Sequence, residues 1–297
     1  MPHSIKEKIF GSIVAIVTPF RDNKIDEDAF RKLIERQIAA GTHGIVPVGT
    51  TGESPTLDFD EHDHVIALAV EAVGGRVPVI AGTGANSTLE AIDITQRATK
   101  IGADVALIVA PYYNKPDQNA LYAHYKAVHD ATNIPILLYN VPGRTVSDLK
   151  PETVAKLSKL ERIIGIKDAT GELERFSAHR HLCGNDFILL SGEDGCALGA
   201  AAHGCQGCIS VTANIAPELC AAFQNALHKG DFTAALALQD KLFPLHSALF
   251  SETSPAPVKY ALSHIGICEN NLRLPLIPVQ PETEQKIISA LQHAGIA

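Results

Sequence analysis

The 297-residue sequence has no cluster of lysines and arginines, no apolar run long enough to span a bilayer, no low-complexity tract and no exact repeat. With a formal net charge of −8, the missing basic patch argues against a nucleic-acid partner, whose phosphates would need neutralising. The best apolar run near the start, Ile13 to Val17, stops at Thr18-Pro19, far short of the roughly 20 residues of a membrane helix. No apolar stretch follows the charges of the first ten residues, so no secretory signal is expected. The six cysteines, at 183, 196, 205, 208, 220 and 268, lack the spacing of a small disulfide scaffold. These absences lead to the expectation of a soluble, reduced, cytoplasmic protein, with neither nucleic acid nor membrane as a partner.

What the sequence does have is alternation. Short apolar runs at 12–17, 44–48, 77–81, 104–109, 135–139, 163–167, 187–190 and 207–211 are bounded by Gly, Pro, Asn or Asp, as strands are. Their near-continuous apolarity fits parallel strands covered on both faces. Between them, helix-length segments at 27–40, 59–73, 88–101, 119–131, 151–160, 173–182, 195–202 and 216–227 carry helix punctuation. Asp26, Asp58 and Ser87 are N-cap residues, and Gly41, Gly74-Gly75 and Gly102 are stops. Eight strand–helix units predict an α/β fold, a (β/α)8 TIM barrel over residues 1–229. A doubly wound open sheet shares the local pattern, and the count of eight favours the barrel. Segments 232–250, 257–266 and 282–294 read as helices with no strand between them, which predicts a C-terminal helical domain over 230–297.

Active sites of such barrels are built at the C-terminal ends of the strands. Lys167 closes the run Ile163-Ile164-Gly165-Ile166-Lys167, and strict alternation puts it on one face with Gly165 and Ile163. If that face is the lumen, an amine stands at the barrel mouth. Burial disfavours an ammonium ion and so favours the free base that nucleophilic attack requires. Taken alone, a strand-end lysine more often reaches solvent or pairs with a carboxylate, although Asp168 points to the opposite face. The other strand ends decide the matter. Gly49-Thr50-Thr51-Gly52 offers hydroxyls and backbone donors for a carboxylate, Tyr112-Tyr113 follows the fourth strand, and Tyr139 closes the fifth ahead of Arg144. Tyrosine passes protons and arginine grips a carboxylate with two prongs. Amine, hydroxyl relay and anion holders at one barrel mouth point to Schiff-base chemistry on a carbonyl substrate.

Other signals carry less. Cys205 and Cys208 have zinc-like spacing without a second pair. His62/His64 and His179/His181 lie two apart on predicted helices, where side chains do not share a face. Gly82-Thr83-Gly84 lacks the third glycine of a dinucleotide fingerprint, and no Walker sequence is present. No metal and no organic cofactor are expected.

GTTGES at 49–54, AGTGAN at 81–86, PYYNKP at 111–116, LYNVPGRT at 138–145 and GIKDATG at 165–171 resemble the dihydrodipicolinate synthase family. LLSGED at 189–194, ISVTAN at 209–214, PVKYAL at 257–262 and LRLPL at 272–276 extend the resemblance over essentially the whole chain. The wider group contains N-acetylneuraminate lyase and ketodeoxygluconate-type aldolases. The resemblance implies a barrel with a helical C-terminal domain, pyruvate held as an imine on Lys167, and condensation with L-aspartate 4-semialdehyde in the diaminopimelate route to L-lysine. It further implies a proton relay of Thr51, Tyr139 and Tyr113, with Tyr113 donated by an adjacent subunit of a homotetramer built as a dimer of dimers. Thr50 and Thr51 would hold the pyruvate carboxylate, Arg144 that of the semialdehyde, and Gly192 and Ile209 would line the site through their main chain. Ser54, His62, Asn86, Glu90 and Tyr112 match an L-lysine inhibitor pocket of family members, whereas Pro55 and Phe59 replace an alanine and a histidine common there. Among other readings, a sugar-acid or N-acetylneuraminate-type aldolase has no need of Arg144, a pyridoxal-phosphate enzyme lacks its phosphate cup, and a non-catalytic amino-acid sensor would not need the five groups at the mouth.

Overall fold

The computed structural model describes residues 5–296. Eight strands alternate with helices: β1 (Gly11–Ala15), β2 (Gly44–Val46), β3 (Ile80–Gly82), β4 (Val105–Val109), β5 (Ile136–Asn140), β6 (Ile163–Asp168), β7 (Ile188–Ser191) and β8 (Gly207–Ser210). All neighbours in this sheet run parallel, in the order β2-β1-β8-β7-β6-β5-β4-β3. A parallel bridge between Ile45 and Val79 joins β2 to the entry of β3. The sheet therefore closes on itself, as a (β/α)8 barrel does and an open doubly wound sheet does not.

The surrounding helices are α1 (Glu27–Ala39), α2 (Phe59–Val73), α3 (Thr88–Ile101), α4 (Gln118–Ala131), α5 (Pro151–Leu157), α6 (Glu174–Cys183), α7 (Ala197–Ala202) and α8 (Pro217–His228). The three N-caps expected from the sequence form. Asp26 accepts from Ala29 N–H and Ser87 from Glu90 N–H, and Asp58 forms a reciprocal capping box with Glu61. Segment 195–202 resolves into a 3-10 turn, Asp194–Cys196, followed by α7. Two features were not anticipated. A small hairpin pairs Phe20–Arg21 with Lys24–Ile25 around Asp22 and Asn23, both at positive φ. Pro142–Thr145 forms one helical turn that carries Arg144.

Apolar side chains fill the barrel interior. Ile13, Val46, Ile80, Leu107, Leu137, Ile164, Ile188, Leu190 and Ile209 form its packed cluster, while Ile136, Ile163, Ile166 and Leu189 pack outside with the helices. This corrects one expectation, that Ile163 shares the face of Lys167. The β5–β6 register slips by one residue between Ile136↔Ile163 and Leu137↔Gly165. Ile164 is the extra residue, and the bulge returns it to the lumen while Ile163 turns outward.

Past β8, helices α9 (Phe232–Leu249), α10 (Ala256–His264) and α11 (Pro281–Ala294) follow α8, and no strand occurs among the described residues there. Leu242, Leu249, Val258, Leu262, Ile287 and Leu291 of these helices share one apolar cluster with Phe30 and Leu33 of α1 and Ile66 of α2. Among the described residues, no helix is long and apolar enough to cross a membrane. The contact also has a polar centre. Lys259 of α10 is wholly buried, pairs with the equally buried Glu53, donates to the Asn271 carbonyl at 2.8 Å and lies 4.1 Å from the centre of the Phe20 ring. Burial draws Lys259 below its ordinary pKa, with Glu53 opposing. Glu53 also accepts from the Arg273 N–H at 3.1 Å. The Arg273 guanidinium pairs in turn with Glu61 of α2.

A buried pair costs most when half of it is removed. Lys259→Met alone is expected to destabilise the protein by about 3–5 kcal/mol, read as a fall in the denaturant midpoint. Glu53→Gln combined with Lys259→Met should recover most of that loss, and additive losses would show that the pair is not coupled.

Candidate active site

Lys167 is 7% exposed at the C-terminal end of β6. Parallel register places it beside Tyr139 of β5, and its Nζ lies 4.2 Å from the centre of the Tyr139 ring. Two glycines nearby stand where a Cβ would collide, one of them with Lys167 itself. A Cβ on Gly192 would stand 2.8 Å from Lys167 Cε, and a Cβ on Gly165 would stand 2.4 Å from the Ile188 carbonyl oxygen. Gly192 is fixed by its N–H, which donates to the Asp168 carbonyl at 2.8 Å.

Outside the Tyr139 ring opens a cavity of about 580 Å³, a volume suited to a small-molecule site. Thr50, Tyr139, Val141, Arg144 and Thr145 line it, together with Ser54, His62, Glu90 and Tyr112. Pro55 and Phe59 line it too. Asn86 does not reach it; its carbonyl instead accepts from Asn114 Nδ2 at 2.8 Å. Thr51 is buried in the same loop as Thr50, and Ile209 is buried in the lumen cluster. Arg144 is exposed to solvent and donates to the Ser254 carbonyl at 3.3 Å. Tyr113 is 92% exposed and does not line the cavity within one chain.

Electrostatics of the cavity wall are set by burial. His62 is pushed below the usual imidazole value by burial, and its Nε2–H donates to the Gly82 carbonyl at 3.0 Å, so the ring is uncharged near neutral pH. The Tyr112 phenol is pushed up by burial and by the charge of Glu90. Glu193, beside Gly192, is raised by burial and then by its neighbour Asp194.

Backbone strain gathers at the same rim. Val48 and Glu53 after β2, Tyr113 and Lys115 after β4, and Val146 after β5 all have φ between 48° and 73°. Such conformations are costly for non-glycine residues, most of all β-branched or bulky ones, and they concentrate at functional sites.

Three polar residues that sequence reasoning left unassigned prove structural to the site. Asp194 accepts from the N–H groups of Val211 at 2.9 Å and Thr212 at 3.1 Å and from the Ser210 hydroxyl at 2.5 Å, fixing the exit of β8. Asp168 and Arg175 form a network behind Lys167, described below. For the two aspartates the visible signal was a carboxylate one or two residues from Lys167 or Gly192, which alone does not say what it holds; Arg175 carried no such signal. The weaker motifs find ordinary places. Cys208 is buried against Asp194, Cys205 caps the Leu189 carbonyl, and His64 pairs with Glu27. A second cavity of about 420 Å³ lies at the opposite end of the barrel around Phe10, His43, Arg76 and Asp104. Its histidine is already saturated, accepting from Ser12 N–H and donating to Asn225, each at 3.1 Å.

A family model, the Dihydrodipicolinate synthetase family, matches residues 8–294. The 4-hydroxy-tetrahydrodipicolinate synthase of Parvibaculum lavamentivorans is 56% identical over 286 residues, spanning 96% of this chain and 98% of that one. The chloride-inhibited dihydrodipicolinate synthase of Acinetobacter baumannii, crystallised in complex with pyruvate, superposes with a TM-score of 0.96 at 46% identity, over 97% of this chain and 100% of that one. The DHDPS of Cyanidioschyzon merolae with lysine bound gives 0.95 at 34% identity, over 98% and 99%.

Proposed function

This chain belongs to the dihydrodipicolinate synthetase family, and on that footing we propose that it condenses pyruvate with L-aspartate 4-semialdehyde to give 4-hydroxy-tetrahydrodipicolinate in the route to L-lysine. The observation that carries the reading is the buried Lys167 amine against the Tyr139 ring, next to a cavity that Thr50 and Arg144 also line.

Lys167 attacks the ketone carbon of pyruvate and water leaves, giving an imine. The imine acidifies the neighbouring methyl group; loss of one proton gives an enamine, which forms a carbon–carbon bond to the aldehyde of the second substrate. The amino group of that substrate then attacks the imine carbon, closes the ring and expels the lysine. One water is released overall. Tyr139, Thr51 and Tyr113 pass the protons, Thr50 and Thr51 hold the pyruvate carboxylate, and Arg144 takes the carboxylate of the semialdehyde. The main chain at Gly192 and Ile209 completes the wall around the imine. No step calls on a cofactor. A sugar-acid aldolase would share the imine but would leave Arg144 without a task.

Two further readings rest on the same geometry. The first is assembly as a homotetramer, a dimer of dimers, with Tyr113 working in the partner's site. Its support is an aromatic held at φ 73° and 92% exposed, and two sets of exposed apolar side chains. Leu89, Tyr112 and Tyr113 are exposed at the barrel mouth, and Phe232, Leu236 and Phe243 of α9, with Phe250 just past its end, are exposed at helical spacing. The second is feedback by L-lysine in the part of the cavity lined by Ser54, His62, Glu90 and Tyr112, with Asn86 beside it. Glu90 would take the ligand's ammonium, and the uncharged His62 would not repel it. Pro55 and Phe59 stand where an alanine and a histidine are common, removing one polar partner for the ligand.

A coupled assay with the NADPH-dependent reductase should show NADPH loss that requires both substrates. Lys167→Ala should abolish a borohydride-trapped pyruvate adduct, and Arg144→Ala should raise KM for the semialdehyde by about tenfold or more, the scale of a lost charge-assisted bond. Pyruvate trapping without turnover would move the assignment to another aldolase of the same barrel.

Subunit mixing tests the assembly. Tyr113→Phe and Lys167→Ala chains, each inactive alone, should regain activity when unfolded and refolded together, because a mixed dimer rebuilds one complete site. No regain would place the tyrosine in its own subunit's site or outside catalysis.

Millimolar L-lysine should slow the reaction, and Glu90→Gln should raise the half-inhibitory concentration about tenfold or more. An unchanged rate in lysine would rule out this regulation.

A further inference from the structure

The side chains that follow the reacting residues turn away from the lumen and meet one another. Tyr139 and Lys167 face inward, so Asn140 and Asp168, paired in register, face outward beneath α6. There Arg175, only 6% exposed, reaches three acceptors. Its Nε donates to Asp168 Oδ2 at 3.1 Å, and one terminal nitrogen donates to Asp148 Oδ1 at 3.0 Å and to the Leu149 carbonyl at 2.7 Å. The other terminal nitrogen reaches Asp148 Oδ2 at 3.4 Å.

Each acceptor is tied to a substrate-facing element. Asp168 adjoins Lys167 and also accepts from the N–H of Thr170 at 3.0 Å and its hydroxyl at 2.5 Å, with His179 Nε2 at 3.4 Å. Asp148 accepts from Asn140 Nδ2 at 2.9 Å, and Leu149 N–H donates to Asn140 Oδ1 at 2.9 Å, so this arm grips the residue after Tyr139. Asp148 and Leu149 also end the loop that starts with the helical turn of Arg144. One planar fork therefore spans the end of β6, the end of β5 and the Arg144 loop.

We propose that Arg175 is a positioning residue for the reaction, setting the separation between the Lys167 amine, the Tyr139 ring and the Arg144 guanidinium through Asp168, Asn140 and Asp148. This rests on the function proposed above. The physical reason is that, among the described residues, none of the three reacting side chains is locked by hydrogen bonds of its own: Lys167 meets a ring face, and Arg144 has one long bond to a carbonyl. Their aim depends on where their backbones are held, and a displacement of about 1 Å is enough to slow a reaction a hundredfold. Guanidinium geometry matters, because an ammonium is a point charge that cannot hold three acceptors in fixed directions.

The test uses the full-length protein and three variants, Arg175→Lys, Asp168→Asn and Asp148→Asn, each first checked for a cooperative thermal melt. Arg175→Lys should lower kcat about tenfold or more while the protein stays folded. Asp168→Asn should slow borohydride-trapped imine formation with pyruvate more than it raises KM for the semialdehyde. Asp148→Asn should show the reverse split, since it loosens the Arg144 loop. The two isosteric amides keep the proposal testable even if Arg175→Lys does not fold. Variants with lowered melting temperature but kcat and both KM values within twofold of the parent would reduce the cluster to a stability element and overturn the proposal, as would the same kinetic pattern in both amides. Failure of the unsubstituted protein to trap pyruvate is a separate result that removes the underlying function.

Discussion

A lysine can stand inside a packed barrel only where neighbours give up volume, and here the entire site depends on that concession. Gly192 removes the side chain that would collide with its stem, and Gly165 removes one that would collide with the Ile188 carbonyl and Cβ on the neighbouring strand. The bulge at Ile164 then supplies a lumen residue below, so that the barrel stays filled where Gly165 contributes nothing. The outcome is an aliphatic stem embedded in apolar packing with its amine against an aromatic face at the rim. Every other group at the mouth is arranged around that fixed point.

The helical layer past β8 reaches the same rim by a different interaction. Glu53 follows the Thr50-Thr51 turn, sits at a positive φ and is held from across the chain by Lys259 and the Arg273 N–H. Gly52 is held as well, its carbonyl accepting from the buried Thr18 hydroxyl at 2.7 Å. A strained turn bearing two hydroxyls is thus fixed by a buried charge from α10, which makes the helical layer part of how this loop at the barrel mouth is shaped. Asp194 does the same for the exit of β8 with a carboxylate in place of an ammonium.

Much of this was legible. Strand and helix segments, their caps and the closing count of eight followed from apolar runs and punctuation, because those signals are local. Lys167, Tyr139, Thr50 and Arg144 were legible once strand ends were treated as one surface, since barrel topology brings all C-terminal ends together. The missed features are those decided by distant partners. Ile163 turned outward because a bulge depends on the neighbouring strand, which periodicity within one strand does not see. Lys259 was noticed only within a motif, and its role needed Glu53, some two hundred residues earlier, to be found beside it. The four-residue turn carrying Arg144 is too short to leave a helical period.

The three buried basic side chains, Lys167, Arg175 and Lys259, also separate structural from chemical roles. Lys259 is neutralised by Glu53, and Arg175 by Asp168 and Asp148. Burial alone would push the Asp168 carboxyl up, yet His179, Thr170 and Arg175 hold it down to about 2, so it remains a firm anion beside that guanidinium. Lys167 is different: among the described residues it makes no ion pair, and its Nζ lies 4.2 Å from the centre of the Tyr139 ring. A carboxylate in contact with an amine keeps the proton on it, which suits a structural bridge and defeats a nucleophile. Asp168 is one residue away and would be such a partner, but strand alternation turns it through the sheet to Arg175. Arg175 therefore holds the strand end that carries Lys167 and neutralises the Asp168 carboxylate that alternation has turned away from the amine.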